Sequence, residues 1–147
     1  MKSFTLVLSL LAAPALAQSV EDCDWRAEAA NIAEPWEEYS RTFANGAVRL
    51  ALIDVGEPAA GGFHLLVLSP PYGELGERQC RVITSSDGMG FAGLKVKDLK
   101  AGYDPAKGLT FLIPMATYDL NVGSVYQGQA LSVTLNQATG DISAGIE

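Results

Sequence analysis

The chain has 147 residues, with 17 acidic and 10 basic side chains and a formal net charge of −7. Binding to phosphate backbones or anionic headgroups depends on clustered Lys and Arg, so this balance argues against nucleic acid and against peripheral membrane attachment. The length is that of one domain, which buries about two thirds of the surface that its unfolded chain exposes.

The N-terminal segment is typical of a secretory signal peptide. Lys2 precedes an apolar stretch that ends near Ala13, and the small-residue pattern of a cleavage site ends at Ala17. This stretch is shorter than the roughly 20 apolar residues of a membrane-spanning helix. We therefore expect residues 1–17 to be removed and residues 18–147 to form a single β-rich domain, periplasmic or secreted, without a membrane span.

The residues after the signal peptide predict one short helix. The stretch CDWRAEAANIAE is rich in alanine and places Trp25 and Ile32 near one face. Asp22 or Asp24 can cap its start, and Pro35 ends it. We therefore expect one short amphipathic N-terminal helix.

Two cysteines, Cys23 and Cys80, predict a disulfide bond. In an oxidising compartment, an even number of cysteines without further thiols favours pairing. The bond would close a loop of about 58 residues and stabilise the fold by roughly 4 kcal/mol if it acts by restricting the unfolded chain. The spacing is not that of a zinc site or a redox pair, so we expect no metal and no cofactor.

After Trp36 the pattern changes to short alternating runs separated by turn signals. Asn45-Gly46 is the signal of a tight hairpin, and Pro114 suggests an edge strand or a bulge. Short strands in sequence predict a mainly β antiparallel meander, either a small up-and-down barrel or a two-sheet sandwich. The predicted strands are YSRTF, AVRLALIDV, FHLLVL, QCRVIT, GFAGLKV, LTFLIP, ALSVTL and DISAGI.

Residues 88–93, GMGFAG, match the letters of a dinucleotide-binding fingerprint. That fingerprint binds a pyrophosphate only where it joins a strand to a helix in a βαβ unit. In this chain it lies between a turn and another alternating segment. We therefore expect turn and strand glycines, without a nucleotide cofactor.

His64 is the only histidine of the chain. Alternation places it with Leu66 and Leu68 on one face of a strand whose other face is also apolar, which predicts a central strand. A histidine at the start of such a strand usually has a backbone or carboxylate partner at the sheet margin. Because no serine lies in a GxSxG motif, no catalytic residue is assigned.

Three longer loops, GEPAAGG, SPPYGELGER and TYDLNVGSVYQG, separate predicted strands. Loops on a rigid scaffold carry much of protein function, so we expect any binding site there. Tyr72 is the favoured contact and Tyr126 the second, because tyrosine offers a large amphipathic surface at a small entropic cost. Tyr118 and His64 are further candidate binding residues.

Three segments, NIAEPWEEYSRTFANGAVRLALID, FHLLVLSPPYGELGERQCRV and LSVTLNQATG, carry a resemblance. The sequences of these segments resemble those of an uncharacterised family of small secreted alphaproteobacterial proteins. The resemblance implies export into a Gram-negative periplasm or beyond. It implies no catalytic residue, substrate or cofactor.

Three classes of function remain open. The leading interpretation is a non-catalytic exported binding or interaction module of the cell envelope, whose partner is an envelope protein or a small ligand. The first alternative is a carrier of a small apolar ligand, which requires a hollow barrel. The second is a small periplasmic hydrolase, which requires His64 or a carboxylate pair in a cleft.

Overall fold

The computed structural model describes residues 17–86 and 88–147, so the predicted signal peptide lies outside the described residues except for Ala17. The described part is mainly β, as predicted, with one four-residue α-helix and three short 3-10 turns. The strands are β1 (Ser19–Asp22), β2 (Ser40–Phe43), β3 (Val48–Asp54), β4 (Phe63–Tyr72), β5 (Arg78–Thr84), β6 (Gly93–Leu94), β7 (Lys100–Asp104), β8 (Gly108–Asp119), β9 (Ser124–Leu135) and β10 (Ile142–Ile146). The helical elements are α1 (Trp36–Tyr39) and the 3-10 turns Trp25–Ala27, Ala29–Asn31 and Val96–Asp98.

The strands form two antiparallel sheets. Sheet 1 has the order β1-β5-β4-β3-β2, and sheet 2 has the order β10-β9-β8-β6, with β7 paired to another part of β8. Strands β2 to β5 and β7 to β10 are neighbours in chain order, as a meander predicts. Isolated bridges between Ala17 and Gly145, and between Phe63 and Phe91, connect the two sheets.

The main core lies between the sheets and is built from alternate residues of the strands. Val48 and Leu50 of β3 and Leu131 of β9 are fully buried, on the faces that the alternating pattern predicts. The space between the sheets is filled by aliphatic and aromatic side chains. Its largest fully buried members are Phe91, Leu50, Leu65, Ile83, Ile113, Leu131 and Leu135.

A second, smaller core covers the outer face of sheet 1. Ala51, Ile53, Leu66 and Val82 are buried there beneath the N-terminal segment. β3 and β4 are therefore apolar on both faces, which confirms the prediction of a central strand around His64. The Cys23–Cys80 disulfide, with Cα atoms 5.4 Å apart, fixes the segment to β5.

The single N-terminal helix is not clearly present in the predicted form. Residues 22–34 contain two separate 3-10 turns, and the four-residue α-helix begins only after Pro35. Asp24 acts as a cap, because its carboxylate accepts a hydrogen bond from the Arg26 N–H at 3.0 Å. Trp25, expected on the packed face of the helix, is 61 % exposed.

Pairing with sheet 1 explains this difference. Asp22 belongs to β1 and lies opposite Arg81, and Ile32 forms a bridge with Ile53. The Ala33 N–H donates to the Leu52 carbonyl at 2.9 Å. These backbone contacts require an extended chain at both ends of the segment, so they override the helix propensity of alanine.

Two predicted loops are partly strand. β4 continues through the start of SPPYGELGER to Tyr72, and most of TYDLNVGSVYQG belongs to the ends of β8 and β9. GFAGLKV is shorter than predicted, with a two-residue β6 before a 3-10 turn, and β7 was not predicted. Pro114 lies in β8, one residue before a register shift that begins at Met115, so the predicted bulge is present next to it. β8 is a central strand of sheet 2, so the alternative of an edge strand is wrong.

The glycines of residues 88–93 are turn and strand glycines, as predicted. Gly88 and Gly90 have positive φ angles, and Gly93 begins β6 opposite Ala116. Asn45-Gly46 likewise forms the predicted turn between β2 and β3, with positive φ at both residues.

Candidate functional site

The favoured tyrosines lie at opposite ends of the molecule. Tyr72 ends β4 near the β9–β10 turn, where the Gln79 amide donates to the Gly140 carbonyl at 2.9 Å. Phe63, at the start of β4, forms a bridge with Phe91. The next residue, Ala92, donates its N–H to the carbonyl of Ala116, which lies at the base of the β8–β9 hairpin. The ten residues of β4 span roughly 30 Å, so Tyr72 lies about one strand length from the end of the molecule that carries Tyr126.

Tyr118 and Tyr126 lie on a hairpin that extends beyond its neighbouring strands. β6 pairs with β8 only as far as Ala116. On the other side, the residues that follow β10 pair with β9 only as far as Ala130, which exchanges backbone hydrogen bonds with Glu147. Within the described part of the chain, no further strand flanks residues 117–129. We call this segment the projecting hairpin.

The projecting hairpin is an ordered β-structure up to its turn. Tyr118 lies opposite Val125, and Thr117 lies opposite Tyr126. In the turn, the Asp119 carboxylate accepts a hydrogen bond from the Asn121 N–H at 2.7 Å. The turn is therefore stabilised by a local Asx-type contact.

Large apolar side chains are exposed along the projecting hairpin. Leu120 and Val122 are 68 % and 64 % exposed, and Val125 and Tyr126 are about half exposed. Asp119 is the only charged residue between positions 117 and 127. Leu120 and Val122 lie in the turn, whereas Val125 and Tyr126 are consecutive in β9 and point to opposite faces of the hairpin. Exposed large apolar side chains grouped on one segment make it a candidate binding surface.

His64 is buried on the outer face of sheet 1, and only 3 % of it is exposed. Its Nδ1 lies 3.1 Å from Thr84 Oγ1, so its partner is a hydroxyl and not the backbone or carboxylate that we expected. A Cβ at Gly90, whose φ is +83°, would lie 2.7 Å from the His64 ring, so the chain passes closely over the imidazole. Burial lowers the pKa of His64, and the nearby Arg26 guanidinium lowers it further.

This geometry favours a role for His64 in stabilising the fold. Thr84 is fully buried, and neither its hydroxyl nor the imidazole is open to a substrate. Among residues 17–86 and 88–147, no group of three or more His, Cys, Asp or Glu side chains is arranged to hold a metal ion.

A charge cluster around the buried Arg26, near His64, was not predicted. Arg26 is 8 % exposed, and it pairs with the Asp24 carboxylate at 2.9 Å and with the Glu21 carboxylate. The Ser19 hydroxyl donates to Glu21 at 2.9 Å. Hydrogen bonds from Arg26 lower the pKa values of Glu21 and Asp24. The sequence signal was a lone arginine close to several acids.

A groove of about 500 Å³ opens where the two sheets separate. One wall is formed by the ends of β3 and β4, and the other by β6 and the following 3-10 turn, with Tyr39 of α1 at one end. Leu52, Phe63 and Lys95 are among the lining residues. The sequence predicted no site there, because the lining comes from four separate segments.

Within the described residues, no helix is long and apolar enough to cross a membrane. Comparison of the chain with protein-family models, curated proteins and solved structures finds no match. The resemblance to small secreted alphaproteobacterial proteins therefore stays a prediction.

Proposed function

We propose that this protein is an exported, non-catalytic binding module of the cell envelope and that its contact surface is the projecting hairpin. The observation that carries the proposal is the group of exposed apolar side chains at Leu120, Val122, Val125 and Tyr126. Burying such side chains is worth about 25 cal/mol per Å² of apolar surface, which is the usual source of binding energy between proteins. The Cys23–Cys80 disulfide fits an oxidising compartment and supports export.

The chemistry of the surface favours a protein partner with an apolar cleft. The net charge of −7 disfavours anionic surfaces, and Asp119 is the single charge of the hairpin between positions 117 and 127. The side chains lie on paired strands and on a turn fixed by hydrogen bonds, so little entropy is lost when they bind. Tyr126 is the expected main contact. Tyr118 lies opposite Val125, on the other face of the hairpin, and its hydroxyl lies near Gly123 of the turn.

The Tyr72 end is a weaker candidate surface. Tyr72 is 56 % exposed and Leu75 is 94 % exposed, but no other large exposed apolar side chain is found between the ends of β4 and β5. We therefore assign binding to the hairpin and use Tyr72 as the control position.

The proposal is tested with immobilised mature protein and a periplasmic extract of the source cell. Tyr126→Ala should release a partner that the unaltered protein retains, and Tyr72→Ala should retain it. Tyr103→Ala is a second control, because Tyr103 is also exposed but lies on β7. Equal capture by all variants would contradict the proposal, provided that their melting temperatures agree.

A further inference from the structure

The groove between the sheets has an apolar floor. Leu52 of β3 and Leu94 of β6 are 4 % and 5 % exposed, and both belong to the main core. Phe63 of β4 is half-buried and packs against the same core. The floor is therefore fixed by the fold, and an apolar group placed on it would extend the core.

Charged side chains of both signs surround this floor. Lys95, Lys97 and Asp98 line the wall next to β6, Asp54 lines the wall at the end of β3, and Glu34 lines the groove from the N-terminal segment. In residues 17–86 and 88–147, the ion pairs within 4.0 Å involve Arg26, Arg81 and Lys107, so the two groove lysines are not neutralised by a protein carboxylate at that distance.

Asp54 has one oxygen available for a ligand. Its Oδ1 accepts a hydrogen bond from the Gly56 N–H at 2.9 Å, which fixes the orientation of the carboxylate. No hydrogen bond to its Oδ2 is found within the described residues. A carboxylate that is oriented by the backbone is suited to accept a hydrogen bond from an ammonium group.

We propose that the groove binds a small zwitterion with an apolar side chain, the chemistry of an apolar amino acid or dipeptide. The ligand carboxylate pairs with Lys95 and Lys97, its ammonium pairs with Asp54, and its side chain lies on Leu52 and Phe63. The volume of about 500 Å³ lies within the range of small-molecule sites, about 300 to 1,000 Å³.

The charges of the groove favour a zwitterion over a simple ion. A monoanion would pair with the lysines but would supply no cation to Asp54, Asp98 and Glu34. A monocation would pair with a carboxylate but would supply no anion to Lys95 and Lys97, which have no protein carboxylate within 4.0 Å among the described residues. Only a ligand with both charges satisfies both walls, while its apolar part covers the floor.

The test is a titration of isotope-labelled mature protein followed by NMR. The probes are L-phenylalanine, the dipeptide Leu-Phe, 3-phenylpropionate as the anion and 2-phenylethylamine as the cation. We expect saturable shifts at Leu94 and Phe63 with one or both zwitterions, and the tighter of these distinguishes an amino acid from a dipeptide. The two single-charge analogues should bind at least about tenfold more weakly, which corresponds to about 1.4 kcal/mol.

Matched variants assign the charges. The double variant Lys95→Gln, Lys97→Gln should bind the zwitterion about tenfold more weakly, equal to about 1.4 kcal/mol. Asp54→Asn should weaken the zwitterion but not 3-phenylpropionate, and its amide oxygen can still accept from Gly56. Lys107→Gln, at an exposed lysine outside the groove, should bind as the unaltered protein does.

Two results would overturn the proposal. One is the absence of saturable shifts at the groove with both zwitterions. The other is equal affinity for the zwitterion and for 3-phenylpropionate, since this would remove the role of Asp54. Both outcomes are independent of the projecting hairpin, which lies outside the groove.

Discussion

His64 illustrates how far single residues could be predicted. Alternation correctly predicted a strand that is apolar on both faces, and the imidazole is buried there. The partner could not be predicted, because Thr84 is 20 residues away and meets His64 only through the pairing of β4 with β5. Sequence spacing contains no information on that register.

His64→Ala should destabilise the fold by about 1 to 3 kcal/mol, because it leaves the buried Thr84 hydroxyl without its partner. The measurement is urea denaturation at pH 7.5. Partner capture by the folded variant should be unchanged, since the His64 side chain is buried and is not part of the exposed surface of the projecting hairpin. Full capture loss with unchanged stability would instead assign His64 to function.

The free energy of unfolding should fall as the pH decreases below 6.5. Burial lowers the pKa of His64 from its ordinary value of 6.5, so the unfolded chain binds the proton first. The stabilisation is therefore complete above pH 6.5 and is lost as the pH falls through the folded-state pKa. Glu21 and Asp24 have lowered pKa values, and they contribute only below their ordinary values of 4.5 and 3.8.

The measurement is the difference in unfolding free energy between the unaltered protein and His64→Gln, taken from pH 7.5 to pH 5. The difference should shrink as the pH falls, since the glutamine cannot be protonated. A difference that is constant across this range would contradict the lowered pKa.

At the scale of elements, the hairpins were predictable and the N-terminal segment was not. The tight turn between β2 and β3 requires positive φ angles at Asn45 and Gly46, and these two residue types adopt such angles readily. This preference is local, so it can be predicted from the sequence. The form of residues 22–34 depends on backbone pairing with β5 and β3 and on the disulfide to β5, which are tertiary contacts. Local propensity therefore predicted a helix where the chain is extended at both ends.

The projecting hairpin was missed as strand for a different reason. Residues 117–128 are mostly exposed, so neither face of the hairpin requires a regular apolar pattern. Without burial there is no alternation to detect. The same exposure makes the segment the main candidate surface, so the site was predicted as a loop but not in its β form.

Arg26 should stabilise the N-terminal segment. Arg26→Leu removes charge-assisted hydrogen bonds to Asp24 and Glu21, and we expect a loss of about 1 to 2 kcal/mol, because both carboxylates remain partly hydrated. Arg81→Leu is the matched control. Its partner Asp22 is 87 % exposed, so the loss should be at most about 1 kcal/mol. Equal losses in urea denaturation would contradict a special role for Arg26.

At the scale of the whole molecule, the disulfide ties the N-terminal segment to sheet 1. The exported protein should begin at Gln18 and should be lighter by two hydrogens than the reduced chain, as measured by intact-mass analysis. Changing Cys23 and Cys80 together to serine should lower the unfolding free energy by about 2 to 4 kcal/mol. Two free thiols in the exported protein would contradict the pairing.

The mainly β antiparallel fold was predictable because burial of one face of a strand leaves alternation in the sequence, as at Val48, Leu50 and Leu52. Alternation did not distinguish a barrel from the two-sheet arrangement that is found. The relative positions of the loops were not predictable. Tyr72 and Tyr126 were expected to act together, but β4 separates their ends of the molecule by roughly 30 Å. Such distances follow only from the complete topology.

The most direct test of the central claim is photo-crosslinking in cells that produce the full chain. A benzophenone amino acid replaces Val122 in the projecting hairpin or Leu75 at the opposite end, both of which are exposed. We predict one discrete protein adduct at position 122 that disappears when Tyr126→Ala is added, and no matching adduct at position 75. An adduct at position 75 alone, or no adduct at position 122, would contradict binding through the hairpin.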